Sequence, residues 1–143
     1  MSTEPLTAAP DTPLSVREKL TQSGLRPTRQ RLDIGRALFA GGDRHLTAET
    51  LFEETRALRY PPSLATIYNT LRQFAQHGLL REIAVFGAKL WYDTKIGPHF
   101  HFYREDRDEL FDIPDDQMPA LNIPAPAGMR IESIDVVVRL KTA

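Results

Sequence analysis

Apolar positions recur at helical spacing through the first half of the chain and give way to alternating, β-prone runs in the second. Residues 14–23 read as a short helix ended by Gly24. Thr28 is placed to cap a second helix in which Leu32, Gly35, Leu38 and Phe39 share one face, and Gly41-Gly42 stops it. Thr47 caps a third, with Ala48, Leu51, Phe52, Thr55 and Leu58 as its buried stripe. Pro61-Pro62 forces a turn, and Ser63 caps a fourth helix whose inner face is Leu64, Ile67, Leu71 and Phe74. Gly78 stands where a left-handed cap residue belongs. The period then changes. Residues 81–86 and 89–93 are β-formers around Gly87-Ala88 and predict a hairpin. Beyond it, strands are expected over residues 99–103, 109–113 and 130–140, the last containing the run Ile134 to Val138. Three or four helices followed by a hairpin is a winged-helix arrangement, so the chain is predicted to be α+β. Its expected parts are a mobile arm (1–13), a winged helix-turn-helix domain (14–93), a hinge (94–98) and a small α/β domain (99–143).

The fourth helix changes the picture most. With its apolar stripe turned inward, the opposite face presents Ser63, Thr66, Tyr68, Asn69, Arg72, Gln73 and Gln76, and no acid occurs between Ser63 and Leu80. Short or planar hydrogen-bonding groups with one cation are what a helix needs to touch base edges and phosphates in a major groove. Any amphipathic surface helix has a polar face, but most carry glutamates. Arg81 and Lys89 fall on the expected wing, where a cation would meet phosphate, and Arg26, Arg29 and Arg31 gather near the start of the second helix.

A net charge of −1 argues weakly against a nucleic-acid partner only while it is treated as an average. Residues 17–92 hold 12 Lys/Arg against 7 Asp/Glu, whereas residues 93–143 hold 6 against 10. Attraction to phosphates therefore belongs to the front half. The 143 residues include no cysteine, which excludes disulfides and cysteine-bound structural zinc. No apolar run is long enough to cross a membrane and residues 2–13 lack the features of a signal peptide, so a cytoplasmic protein with no membrane partner is expected.

Four histidines remain: His45, His77, His99 and His101. On a strand, positions 99 and 101 point to one side and can reach one ion. Asp93 lies just before the Gly97-Pro98 turn, and Asp112 lies on the partner strand if residues 99–103 pair with 109–113. Imidazole with carboxylate suits zinc, iron or manganese rather than calcium. His77 has no neighbouring ligand type and reads as a surface residue.

Together these residues resemble the ferric uptake regulator family of metal-sensing repressors. The resemblance rests on Gly24-Leu25-Arg26-Pro27-Thr28-Arg29-Gln30-Arg31, His45-Leu46-Thr47-Ala48-Glu49, Ala65-Thr66-Ile67-Tyr68, Gly78-Leu79-Leu80 and the His99-x-His101 pair, spanning about residues 24–140. It implies a homodimer on double-stranded operator DNA, with a metal bridging a winged helix and a dimerisation domain. His45 matches the ligand from the DNA-binding domain, Asp93 falls where the family has a hinge glutamate, and His99 and His101 match ligands of the dimerisation domain. Asp112 falls near a further family carboxylate. One divalent metal per subunit is thus implied. A metal gripping both domains would set the spacing of two recognition helices. The chain departs from the family in lacking its Cys-x-x-Cys zinc site, in placing Pro98 and Phe100 in the thinned histidine segment, and in having Asn69 where many members have arginine. These departures, with Phe111-Asp112-Ile113-Pro114, look most like the iron response regulator branch, whose members respond to haem. The branch's Cys-Pro haem motif is absent, which leaves His99 and His101 as the haem ligands that branch would imply.

The leading expectation is a transcription regulator, not an enzyme. Two alternatives stay open: a ligand-independent winged-helix protein with structural histidines, and a His/carboxylate metalloenzyme, against which stands the lack of a nucleophile near the ligands.

Overall fold

A computed structural model describes residues 14–143; the expected arm, residues 1–13, lies outside the described residues. Four helices begin the fold: α1 Val16–Gln22, α2 Arg29–Phe39, α3 Ala48–Thr55 and α4 Leu64–Gln76. Each starts at a hydroxyl residue, Ser15, Thr28, Thr47 or Ser63, whose side chain accepts an N–H three residues on. Such a cap stabilises a helix start by about 1 kcal/mol. At the end of α4, Gly78 takes φ 78° and lets Leu79 N–H reach back to the Phe74 carbonyl at 2.9 Å, a closure that requires the left-handed conformation.

The helices share a core in which Leu20, Ile34, Leu38, Leu51, Ile67, Leu71 and Phe74 are fully buried. Gly35 makes the closest approach: a Cβ there would lie 2.5 Å from Val16 Cγ1, so α1 and α2 meet at a glycine.

Two small sheets complete the molecule. The front sheet runs β1-β3-β2, all antiparallel, with β1 His45–Thr47, β2 Arg81–Ile83 and β3 Trp91–Asp93. The rear sheet runs β5-β4-β6, with β4 His101–Arg104, β5 Glu109–Asp112 and β6 Val137–Leu140. β5 is antiparallel to β4, and β6 is parallel to it. The two sheets meet in a second core. Ile83, Val85 and Trp91 of the hairpin pack with Tyr103 and Leu110 of the rear sheet, and Val137 leans on them. The mixed architecture matches the expected α+β class.

Several elements differ from the expectation. β1 is a strand that the local pattern does not predict, because it exists only through its pairing with β3. The hairpin strands are three residues each, separated by seven residues rather than a tight Gly87-Ala88 turn. The histidine strand starts at His101, not 99, and the final strand covers Val137–Leu140 rather than 130–140. β4 offers only four residues to pair with, so the β-prone positions before Val137 have no ladder partner.

Candidate metal centre and nucleic-acid interface

The centre is assembled from one cross-strand pair in each sheet. His45 faces Asp93 across β1 and β3, and His101 faces Asp112 across β4 and β5. His99 enters from the segment leading into β4. One donor atom from each of these five residues lies within 4.8 Å of all the others. Asp93 is the hub. Its Oδ2 is 3.1 Å from His45 Nε2 and 2.8 Å from His101 Nε2, and it also meets His99 Nε2. Asp112 Oδ1 closes the ring at 2.8 Å from His45 Nε2, 3.3 Å from His99 Nε2 and 3.4 Å from His101 Nε2. Asp93, His99 and His101 are 1–3% exposed.

Burial alone would raise the Asp93 carboxyl; hydrogen bonds from His101, His45 and the Lys95 N–H outweigh it and hold the group well below the usual carboxylate range. Burial likewise opposes the charged form of His45, and Asp93 with Asp112 more than compensate, leaving it raised above 6.5.

His99 decides whether the donors fit a cation. Its Nδ1 sits against the Gly97 carbonyl, which can only accept, so Nδ1 carries hydrogen. A neutral ring then aims the bare lone pair of Nε2 at the Asp93 carboxylate. Two lone pairs cannot face each other at that distance unless a second proton or a metal cation lies between them. A backbone carbonyl fixing the outer nitrogen is also how ligating histidines are ordinarily oriented. Three imidazoles and two carboxylates carry two negative charges that one divalent ion cancels, and the set fits zinc, iron or manganese.

The residues expected on DNA fall into two groups. Arg26, Arg29, Ser63, Asn69, Arg72 and Lys89 are exposed, and Thr66 is half-buried at the first turn of α4. Arg26, Arg31, Thr66, Asn69 and Gln73 line one polar cleft between the start of α2 and α4. Arg31 spans it, donating to the Arg26 carbonyl at 2.9 Å and to Gln73 Oε1 at 3.2 Å. Two of these residues already hold partners. Tyr68 is half-buried: its ring packs against the helical core and its hydroxyl donates to Glu49 Oε1. Arg81 is not free for phosphate, since it pairs with Asp135 and donates to the Gly97 carbonyl at 3.3 Å. The wing itself is pressed against the rear sheet, and the Phe86 carbonyl accepts from Arg139 at 2.7 Å.

The profile of the ferric uptake regulator family matches residues 22–139. The chain belongs to the ferric uptake regulator family. Members of this family are DNA-binding transcription regulators that respond to metal, not enzymes. The peroxide-responsive repressor PerR of Staphylococcus aureus (strain Mu50) is 32% identical over 103 residues, which cover 72% of this chain and 67% of PerR. The ferric uptake regulator of Pseudomonas aeruginosa, solved with manganese, superposes with a TM-score of 0.69 at 20% identity, covering 90% of this chain and 98% of that one. The Vibrio cholerae ferric uptake regulator gives 0.68 at 22% identity, covering 88% and 98%. At those identities the superpositions establish the fold.

Within the ferric uptake regulator fold, three groups that act on the expected site residues were missed from sequence. They are Glu49, which holds Tyr68, Asp135, which holds Arg81, and the Gly97 carbonyl, which orients His99. Glu49 stood inside a quoted motif, yet nothing in the sequence pairs it with a residue 19 positions away. Among the described residues, no helix is long and apolar enough to cross a membrane.

Proposed function

We propose that this ferric uptake regulator family member is a cytoplasmic homodimer that binds operator DNA with an affinity set by one divalent metal per subunit at His45, Asp93, His99, His101 and Asp112. The observation that carries the reading is the origin of the five donors: His45 and Asp93 come from the front sheet, His101 and Asp112 from the rear sheet, and His99 from the segment leading into β4. The bound ion supplies the positive charge that balances buried Asp93 and half-buried Asp112. The side chains do the rest. His45 is the donor held on β1, directly before α3, so clasping it to His99 and His101 fixes the helical domain against the rear domain. In a dimer that angle sets the separation of the two α4 helices, and so the half-site spacing they can reach. The functional division is the helical domain to Asp93, the link 94–98 and the domain from His99 onward. DNA is met through Arg26, Arg29, Arg31, Ser63, Thr66, Asn69, Arg72 and Lys89, while Tyr68 and Arg81 contribute by positioning.

The finer assignment is regulation of iron or haem homeostasis within the iron response regulator branch, supported by the missing cysteines and the thinned histidine segment. Between the two ligands the geometry favours the ion. His99 and His101 are buried with both Nε2 atoms on Asp93, so a porphyrin would have to displace their neighbours, whereas an ion needs only the donors to part.

The test is fluorescence anisotropy on an operator selected from random duplexes, using chelator-stripped protein titrated separately with manganese, ferrous iron, zinc and haem. One divalent metal should change affinity by about 5- to 150-fold, the usual range of coupling between two sites, and the change should vanish in a His99→Ala/His101→Ala variant. Tight binding indifferent to all four would instead make the chain a ligand-independent DNA binder with structural histidines.

A further inference from the structure

We propose that Arg29, Tyr60 and Arg59 form a clamp for the phosphate backbone of duplex DNA beside the N-terminal end of α4. The proposal rests on the DNA-binding reading above and adds a contact surface to it. The Arg29 guanidinium lies 4.0 Å from the centroid of the Tyr60 ring and the Arg59 guanidinium 5.4 Å from it. Tyr60 is 52% exposed. Six other arginines, Arg36, Arg44, Arg56, Arg81, Arg104 and Arg139, spend their charge on a carboxylate. Among the described residues Arg29 and Arg59 form no ion pair. Asp33, which shares the cleft beneath Tyr60, is the partner of Arg36 at 3.9 Å.

Placement gives this stack its partner. Tyr60 is followed by Pro61-Pro62, a stiff link, and then by Ser63, the cap of α4. Arg29 is the first residue of α2, so the positive end of an 11-residue helix adds to its charge. The Arg31 bridge to Gln73 joins the start of α2 to α4. A guanidinium stacked on a ring keeps its N–H edge outward, and that planar fork matches phosphate oxygens. With Arg29 on its ring, Tyr60 is poorly placed to stack on a base. The contact is therefore sequence-independent.

The salt dependence of binding tests it. Full-length wild type, Arg59→Ala, Tyr60→Ala and Tyr60→Phe are titrated by anisotropy, in the metal state that binds, against the operator and a scrambled duplex from low to high salt. Arg59→Ala should flatten the slope of log K against log salt by about 0.9, the loss of one phosphate contact on B-DNA. Affinity should fall on operator and scrambled duplex alike, Tyr60→Ala should follow Arg59→Ala, and Tyr60→Phe should match wild type. Unchanged slopes in Arg59→Ala and Tyr60→Ala, with melting temperatures equal to wild type, would overturn the clamp while leaving the DNA-binding reading intact. So would a loss confined to the operator, which would mean base readout. Wild type that binds neither duplex would defeat the DNA-binding reading, and the clamp with it.

Discussion

The front and rear sheets are alike in size and unlike in what holds them. The front sheet is backed by four helices, and Leu46 and Tyr92 from its strands join the fully buried helical core. The rear sheet has only 3-10 turns and extended chain between its strands among the described residues. One of its faces rests on the wing. The other leaves Phe102 half-buried against Phe111 at 5.4 Å, with Phe111 and Val138 exposed. The front domain therefore carries its own core, whereas the rear domain borrows the wing and the five-residue centre. On the proposed reading, whatever strengthens that junction steadies the rear domain.

The largest expected effect comes from the front core. Phe74→Ala should cost about 3–5 kcal/mol, and Leu110→Ala in the shared core about 2 kcal/mol, because the half-open rear sheet can relax around the loss. Trp91, the only tryptophan, sits in that shared core and reports on it. In urea, Leu110→Ala should bring the Trp91 fluorescence transition earlier than the far-ultraviolet dichroism transition, whereas Phe74→Ala should bring both earlier together. Coincident transitions in both variants would make the two halves one cooperative unit and break the comparison.

A smaller effect is expected at Tyr68→Phe, which removes the hydroxyl that satisfies Glu49. Glu49 Oε2 already has no partner among the described residues, so the loss should be about 1–2 kcal/mol by urea denaturation. A stability equal to wild type would free the Tyr68 hydroxyl from Glu49.

The mildest effect is a pH signature confined to the junction. Because His45 is held above 6.5, its contribution to stability is full below pH 6.5 and is lost as pH climbs through the raised value. Asp93, held below the usual range, contributes above the ordinary carboxylate values and keeps doing so through mild acid. Chelated protein should therefore melt at a higher temperature at about pH 6 than at about pH 8, whereas stabilisation by added metal should grow with pH, since the ion displaces protons. The same pH trend with and without metal would remove His45 from the centre.

What the sequence disclosed follows the range of the interactions. The caps Thr28, Thr47 and Ser63 and the stop at Gly78 act within a few residues, and the structure places them where the pattern does. The five donors were picked out singly by residue type and by the family resemblance, but their convergence depends on two registers and a junction that no local pattern encodes. The strand at His45–Thr47 was hidden for the same reason, since its partner lies more than forty residues on. Helical and hairpin spacing describes only the elements that carry Tyr68 and Arg81, and their partners Glu49 and Asp135 lie 19 and 54 residues away.

The most direct test of the account is a cobalt(II) titration followed by visible absorption, run on chelator-stripped wild type, His45→Ala and His99→Ala. Wild type should take up one cobalt per chain with a ligand-field band, and both variants should lose that band, because the donors come from both sheets. A His45→Ala variant that binds cobalt as wild type does, while His99→Ala does not, would place the metal wholly within the rear domain and contradict its role as the link between the two.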